Sequence, residues 1–411
     1  MISILHANRI VKADISLTGS KSITNRLLIL NSIYSSLKIK NKSESNDTVV
    51  LENALKSCSN IKDIDHAGTA MRFLAAYYSS LENVETVLKG SKRMHERPIY
   101  PLINCLKTIG ADITYLEKDG FPPIKIVGKK LKSKRVKISS NVSSQFISAI
   151  LLIAPKLING LEIELKGQLI SRPYIEMTLS LLNNLGIKTS FNKKLITIEN
   201  KNKVQEKQIS VESDWSSASY WYSIVALSEI GEVKLNNFFK NSIQGDSILS
   251  KYYETLGVDT KFTGNRVILT KIKDFVNPKK LNLNLIDSPD LAQTISVTCF
   301  GLGINCFLEG LQTLNIKETK RLIALKKELT KLGANLEVTE STLKLYESNN
   351  IKKNILINTY EDHRMAMSFA PLSLKIPIFI KNPNVVVKSY PKFWKDLKKA
   401  GFTVKPIKNI T

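Results

Sequence analysis

The chain has 411 residues, is 43% hydrophobic, and carries 60 Lys and Arg against 36 Asp and Glu, for a formal net charge of +24. That length predicts a large core in more than one domain, and no uninterrupted apolar run reaches the roughly 18 residues of a membrane-spanning helix. The four cysteines (Cys58, Cys105, Cys299 and Cys306) form no CxxC and have no His at ligand spacing, so neither a disulfide framework nor a metal site is expected. Lys sits singly or in pairs among abundant Asn and Ile, with no recognition-helix motif and no aromatic-interleaved basic stripe. The positive balance therefore reads as composition with some attraction for anionic substrates, not as a nucleic-acid interface.

The N-terminal "MISILHANRIVKADISL" alternates apolar and polar residues, which predicts a strand. It has no apolar core of the signal-peptide kind, so a cytoplasmic protein is expected. "LTGSKSITNRLLIL" then opens a helix at which Ser20 or Ser22 is expected to cap, with Lys21 in the loop and Arg26 a turn inside. First-turn N–H groups with two cations suit a phosphate or a carboxylate. This is not a phosphate-binding loop of the GxxxxGK[ST] type, because Asp14 stands where its first Gly belongs. "DHAGTAMRF" enters a second helix, with Gly68 open to close approach and Thr69 expected to cap. "KRMHERPIYPL" sets Arg93, Glu96 and Arg97 before a Pro-initiated helix.

"SSQFISAILLIAP" places Ser143, Ser144 and Gln145 at the mouth of a very apolar helix, and "SRPYIEMTLSLL" repeats the design with Ser171 and Tyr174. "ESDWSSASYW" is a further Ser-rich start. "DSPDLAQTIS" carries Asp287 and Asp290 at a helix start, and "LNIKETKRL" carries Lys317, Glu318 and Arg321. Read as i,i+4 neighbours on one helix, Lys317 and Arg321 need an anion between them. "YEDHRMAMSF" brings His363 and Arg364 to another helix start, and "VVKSYPKFW" brings Lys388 to a Pro-bounded turn. Taken singly, each stretch reads as an ordinary capped helix or a solvated charge run. Their recurrence points instead to helix N-termini gathered on a multiply charged ligand, with Asp290 and Glu318 as proton-transfer candidates.

A repeat underlies the pattern. "CLKTIGADITY", "LLNNLGIKTSF", "YYETLGVDTKF", "LTKLGANLEVT" and "LKKAGFTVKPI" each end an amphipathic helix at a Gly and start a strand at once. They recur about every 70 residues, and "LENALKSCSNIKDID" is a weaker sixth copy. Six α+β units predict two pseudo-symmetric lobes of three units each, with ligands favouring the cleft between lobes.

Taken in order, GSKSxxNR, AGTAMR, RMxERP, SSQ, SRPYI, D-SSASY, QGD (Gln244 to Asp246), PD, KETxR, DHRMAM and a final Lys before an aromatic-Pro pair resemble the 5-enolpyruvylshikimate-3-phosphate synthases, a family of enolpyruvyl transferases. The resemblance covers nearly the whole chain. It implies an α/β (α+β) fold of two lobes, each of three βαβαββ units around a pseudo-threefold axis. Residues 1–18 and 214–411 would form one lobe and 19–213 the other, with hinges near Thr18 to Gly19 and Glu212 to Asp214 and the active site in the cleft.

The implied reaction is attack by the 5-hydroxyl of shikimate 3-phosphate on phosphoenolpyruvate, followed by expulsion of phosphate from a tetrahedral intermediate. By the same resemblance, shikimate 3-phosphate meets Lys21, Ser22, Arg26, Ser143, Ser144, Gln145, Ser171, Tyr174, Asp290 and Lys317. Phosphoenolpyruvate meets Lys21, Gly68, Arg97, Gln145, Arg321, His363, Arg364 and Lys388. Asp290, Glu318 and Lys21 are the acid–base candidates, and glyphosate would occupy the phosphoenolpyruvate site beside Gly68. No cofactor is expected, and the protein is expected to be a monomer with neither nucleic-acid nor membrane partners. The chain departs from the family pattern at His66, Phe73, Thr313, Asn315 and Lys320. The sister transferase acting on UDP-N-acetylglucosamine carries a Lys-Asn pair and a reactive Cys, whereas here Ser22 follows Lys21 and "RMHERP" has no Cys.

Overall fold

A computed structural model describes residues 1–132, 134–141, 143–348 and 350–408. The chain divides into two compact units, Met1–Thr18 with Glu212–Thr411, and Gly19–Val211. The second crossing lies two residues before the Asp214 read from sequence, for a local reason. Ser213 Oγ donates to the Leu17 carbonyl at 2.8 Å and the Asp214 N–H to Thr18 at 3.2 Å. The buried Glu212 carboxylate accepts from Trp215 Nε1 (2.9 Å), the Phe239 N–H (3.0 Å), Ser242 Oγ (2.5 Å) and Gln244 Nε2 (2.9 Å). Residues 212 and 213 are thereby fixed into the first unit.

The first unit holds three four-stranded sheets of one design. Ile10–Ile15 pairs parallel with Ile230–Asn236, which pairs antiparallel with Arg266–Lys271, itself antiparallel to Val258–Thr263. Lys280–Asn284, Asn305–Glu309, Leu343–Leu345 and Leu336–Val338 repeat that order. So do Leu356–Ile357, Ile378–Ile380, Ile2–Leu5 and Thr403–Pro406, where the N-terminal strand takes the third place. The second unit holds two such sheets: Ile61–Asp63, Glu85–Lys89, Ile124–Val127 and Asp112–Tyr115; and Arg135–Ser139, Leu161–Lys166, Leu195–Ile198 and Thr189–Asn192.

The sixth copy differs from the expected βαβαββ unit. Among the described residues it has only the parallel pair Leu37–Lys40 with Lys207–Ser210. Its second helix, Asn46–Lys56, ends at Ser57 in extended conformation (ψ 136°), and the next strand, Ile61–Asp63, opens the following sheet. No Gly stands at that helix end to turn the chain into a hairpin of its own.

Within each four-stranded sheet a helix crosses between the parallel strands, and a second helix precedes the outer antiparallel strand. The two helices bury differently. The crossing helices are buried nearly all round. Every residue of His363–Phe369 is buried, and all of Trp215–Leu227 except Ser216. Ala292–Leu302 packs against both. Ser and Thr hydroxyls join the three where they touch: Thr298 Oγ1 donates to Ser223 Oγ at 2.7 Å, and Thr294 Oγ1 lies 3.2 Å from Ser368 Oγ and 3.3 Å from Ser219 Oγ. Gly68–Ser79, Ser144–Ile153 and Lys21–Tyr34 form the corresponding mutually packed trio of the second unit. A helix apolar on every face has to sit inside the protein, which leaves its N-terminal turn as the place for polar residues. Among the described residues no helix is long and apolar enough to cross a membrane.

The second helices are amphipathic and end as the sequence predicts. Gly110, Gly186, Gly257, Gly333 and Gly401 have φ of +103°, +72°, +81°, +100° and +91°. At Gly333 the N–H bonds to the Thr330 carbonyl (3.0 Å) and the Ala334 N–H to Leu329 (3.0 Å), closing the helix in a Schellman motif. A Cβ there would also stand 3.3 Å from the Asn350 carbonyl. Gly333→Ala is expected to cost about 1–2 kcal/mol through the left-handed backbone alone. The check is the denaturant midpoint of the variant; an unchanged midpoint would contradict the strain argument.

Candidate functional site

In the first unit the polar residues at the starts of the buried helices form one network around Arg321, which is 2% exposed. Its Nε donates to Asp362 Oδ2 at 2.6 Å, Nη1 to Asp290 Oδ1 at 2.8 Å and Nη2 to Glu318 Oε2 at 2.7 Å. Three of the five guanidinium N–H groups are thereby spent on carboxylates. Asp290 lies in the 3-10 turn Pro289–Leu291 that leads into Ala292–Leu302. Lys317 Nζ approaches its Oδ1 at 3.4 Å, and Arg364 Nη2 its Oδ2 at 3.2 Å. Lys388 Nζ lies 3.8 Å from Glu318 Oε1. Asp362 caps the helix His363–Phe369 by accepting from the Arg364 N–H at 2.8 Å, and His363 Nδ1 is 3.7 Å from the same oxygen. The sequence-predicted Asp290, Lys317, Glu318, Arg321, His363, Arg364 and Lys388 are thus brought together.

Lys317 is not on the helix with Arg321 as expected from spacing. That helix starts at Arg321, and Lys317 follows the 3-10 turn Gln312–Ile316 with an extended backbone. The two cations meet because both contact Asp290 Oδ1, so the anion required between them is a side chain of the protein.

Burial alone would push the Asp290 carboxyl up, but Lys317, Arg364 and Arg321 outweigh burial and hold it well below the usual carboxylate range. Its stabilisation is therefore present above the unfolded-state value near 4 and is lost as pH falls through the folded one. For Arg321, burial acts downward, but Asp362, Glu318 and Asp290 hold the guanidinium above its ordinary range.

The second unit is built on different electrostatics. Arg26, also 2% exposed, donates Nε to Thr178 Oγ1 (2.7 Å), Nη1 to the Ser22 carbonyl (2.8 Å), and Nη2 to Ser148 Oγ (2.9 Å) and the Tyr174 carbonyl (3.1 Å). Its guanidinium sits 5.4 Å from the Phe73 ring centroid. All four acceptors are neutral, and burial lowers its pKa to about 10. A buried cation held only by neutral groups favours an anion nearby, and one N–H remains to reach it. Lys21, the first residue of its helix, pairs with the buried Asp47 at 3.2 Å.

Gly68 begins the helix Gly68–Ser79, and a Cβ on it would lie 2.6 Å from Arg97 Nη1 and 2.9 Å from Arg72 Nη1. Two buried guanidinium groups therefore flank that helix start, and Arg72 Nη1 donates to the Gly68 carbonyl at 2.9 Å. Ser143 caps Ser144–Ile153 by accepting from the Gln145 N–H at 3.3 Å. Ser171 precedes Arg172–Asn184 with φ +55°, a left-handed conformation costly for Ser, and it does not cap the helix.

Two expected caps are absent. Ser20 holds the N-cap position, but its buried hydroxyl has no hydrogen-bond partner. Thr69 is the second residue of its helix, behind Ala67 at the cap. In both places the first-turn N–H groups are left without a side-chain cap.

Sequence reasoning missed four residues that the geometry includes. Arg72 was visible one helical turn after Gly68. Asp47, the partner of Lys21, lies 26 residues away in the chain and gave no local signal. Ser216 accepts from Arg364 Nη2 at 3.3 Å, and Asp246 accepts from the Ser216 hydroxyl. Both lay in quoted motifs but carried no recognisable chemistry.

A model of the family described as EPSP synthase (3-phosphoshikimate 1-carboxyvinyltransferase) matches residues 32–397. A 3-phosphoshikimate 1-carboxyvinyltransferase of Bacteroides fragilis is 43% identical over 406 residues, covering 98% of both chains. One of Haemophilus influenzae is 34% identical over 427 aligned positions, covering 95% of this chain and 96% of its own. In fold, the chain is similar to an EPSP synthase of Acinetobacter baumannii (TM-score 0.77, 21% identity, 98% of this chain and 99% of that one). It is also similar to the enolpyruvyl transferase NikO of Streptomyces tendae (TM-score 0.76, 12% identity, 98% of both). With a matching family model, conserved length and the networks just described, the chain belongs to the EPSP synthase (3-phosphoshikimate 1-carboxyvinyltransferase) family.

Proposed function

We infer that the chain transfers the enolpyruvyl group of phosphoenolpyruvate to the 5-hydroxyl of shikimate 3-phosphate, the enolpyruvyl step of the shikimate pathway to aromatic amino acids. The observation that carries this reading is the Arg321 network, in which Lys317, Arg364 and Lys388 gather around Asp290 and Glu318. The hydroxyl oxygen bonds to C2 of phosphoenolpyruvate, C3 takes a proton, and the hydroxyl proton passes to a base. The C2–O bond to phosphate then breaks, C3 returns a proton, and the double bond reforms as phosphate leaves. Charge on both ligands stays high throughout, so fixed cations facing the developing charge supply the main stabilisation.

In this reading the phosphoenolpyruvate ligands are Arg321, Arg364, His363 and Lys388, together with Lys21, Gly68, Arg97 and Gln145. Ser22, Arg26, Ser143, Ser144, Ser171 and Tyr174 hold shikimate 3-phosphate with Asp290 and Lys317. Without ligands, three cations keep Asp290 a weak base. Ligand anions that engage those cations relieve this, so the carboxylate gains basicity as the complex forms. Glu318 and Lys21 are the other proton carriers. The protein acts as a cytoplasmic monomer without a cofactor.

The direct test mixes purified protein with both substrates and follows phosphate release together with the enolpyruvyl product; release of phosphate without that product would overturn the reading. Asp290→Asn should keep shikimate 3-phosphate binding measurable by calorimetry while turnover falls by roughly two to four decades. Turnover within a few-fold of the unaltered chain would remove Asp290 from the proton-transfer role. Gly68→Ala must displace Arg97 and Arg72, a clash of about 1–3 kcal/mol. The phosphoenolpyruvate KM and the glyphosate inhibition constant should both rise, the latter more. A ratio of phosphoenolpyruvate KM to glyphosate inhibition constant that shows no selective loss of glyphosate would contradict the proposed placement of Gly68 in this site.

A further inference from the structure

Asp246 is a buried carboxylate that the reaction as described does not use. It lies in the 3-10 turn Gly245–Ile248 and is 3% exposed. Its Oδ2 accepts from Ser216 Oγ, and its Oδ1 is buried without a hydrogen-bond partner. Ser216 in turn accepts from Arg364 Nη2 at 3.3 Å. A hydroxyl has one hydrogen, and with Arg364 donating to the oxygen that hydrogen points to Asp246. The polarity of the chain is thereby fixed, from Arg364 through Ser216 to Asp246. Ser216 is also the one residue of Trp215–Leu227 that is not buried. A carboxylate with an oxygen left unpaired in the interior is destabilising, so packing gives no reason for it.

We propose that Asp246, acting through Ser216, is a positioning residue for Arg364, holding its guanidinium in the orientation that receives phosphoenolpyruvate. The proposal rests on the functional reading above. Arg364 has two further anchors, Asp290 Oδ2 at 3.2 Å and the Asp290 carbonyl at 3.3 Å from Nη1. Both belong to a residue that the ligands themselves perturb. The Ser216–Asp246 arm is an anchor independent of that change.

The charged and titratable groups facing Asp246 are Arg364, Asp290, Asp214 and, from Leu249–Glu254, the Tyr252 phenol. Burial pushes the carboxyl up to about 6; Arg364 and the Ser216 bond oppose this, while Asp290 and Asp214 add to it. Asp246 is therefore ionised above about pH 6 and takes a proton below it. The bond from Ser216 then loses its charge assistance, which roughly halves its strength.

The experiment measures kcat and phosphoenolpyruvate KM from pH 5.5 to 8 for the unaltered chain, Asp246→Asn, Ser216→Ala and Ser216→Thr. The substrate phosphates titrate over the same range in every variant, so the quantity read is the ratio of variant KM to unaltered KM. For Asp246→Asn that ratio should be about tenfold at pH 8 and fall toward one below pH 6, with kcat changed less than threefold. Ser216→Ala should raise KM similarly, and Ser216→Thr, which keeps the hydroxyl, should restore it. A pH-independent ratio, or equal losses in kcat with Ala and Thr at 216, would overturn the proposal. If Asp246→Asn does not fold, the Ser216 pair decides alone. Absence of turnover by the unaltered chain would overturn the functional reading, and this proposal with it.

Discussion

The first unit is organised by one guanidinium. Arg321 is almost fully buried, and a charge in that position is tolerated only when paired and hydrogen-bonded. Three carboxylates satisfy it, each from a different place in the fold: Asp290 before one buried helix, Asp362 capping another, and Glu318 three residues ahead. The second oxygens of Asp290 and Glu318 meet Arg364 and Lys388, Lys317 shares Asp290 Oδ1 with Arg321, and the second oxygen of Asp362 caps the helix His363–Phe369. One buried cation thus positions the others. Removing it would leave three carboxylates close together, Asp362 fully buried, a larger loss than the hydrogen bonds themselves.

Arg26 answers the same problem of a buried arginine in the opposite way. Its acceptors are two hydroxyls and two carbonyls, so its charge is solvated but not cancelled. It ties the helix Lys21–Tyr34 to Ser148 and Thr178 on two others, and it leaves net positive potential where they start. The first unit offers cations already matched to carboxylates. The second offers an unmatched cation and helix N-termini.

Much of this was legible in the sequence. The five glycines fixed the helix ends because only glycine takes φ near +70° to +100° cheaply, a local constraint that local sequence can report. The candidate site residues stood out because polar groups recur at the mouths of otherwise apolar helices. What escaped was non-local. The N-terminal strand Ile2–Leu5 completes a sheet with Ile378–Ile380 and Thr403–Pro406, and nothing in its alternation names those partners. Lys317 and Arg321 suggested a shared helix face, but the chain is extended at Lys317 and the contact runs through Asp290. Ser20 and Thr69 looked like caps by type alone, yet a cap depends on where the first helical turn begins. The abbreviated sixth unit was hidden because the strand that follows its second helix belongs to the next sheet.

The claim that the Arg321 network is the reaction centre is tested most directly by Arg321→Lys. This keeps the positive charge and removes the planar fork that reaches three carboxylates at once. Turnover and shikimate 3-phosphate affinity are to be measured on the same folded sample, with folding established by its thermal transition. The account predicts turnover lower by about three decades or more, with shikimate 3-phosphate affinity held to within roughly tenfold. Turnover within a few-fold of the unaltered chain would show that the network is structural and that the chemistry lies elsewhere.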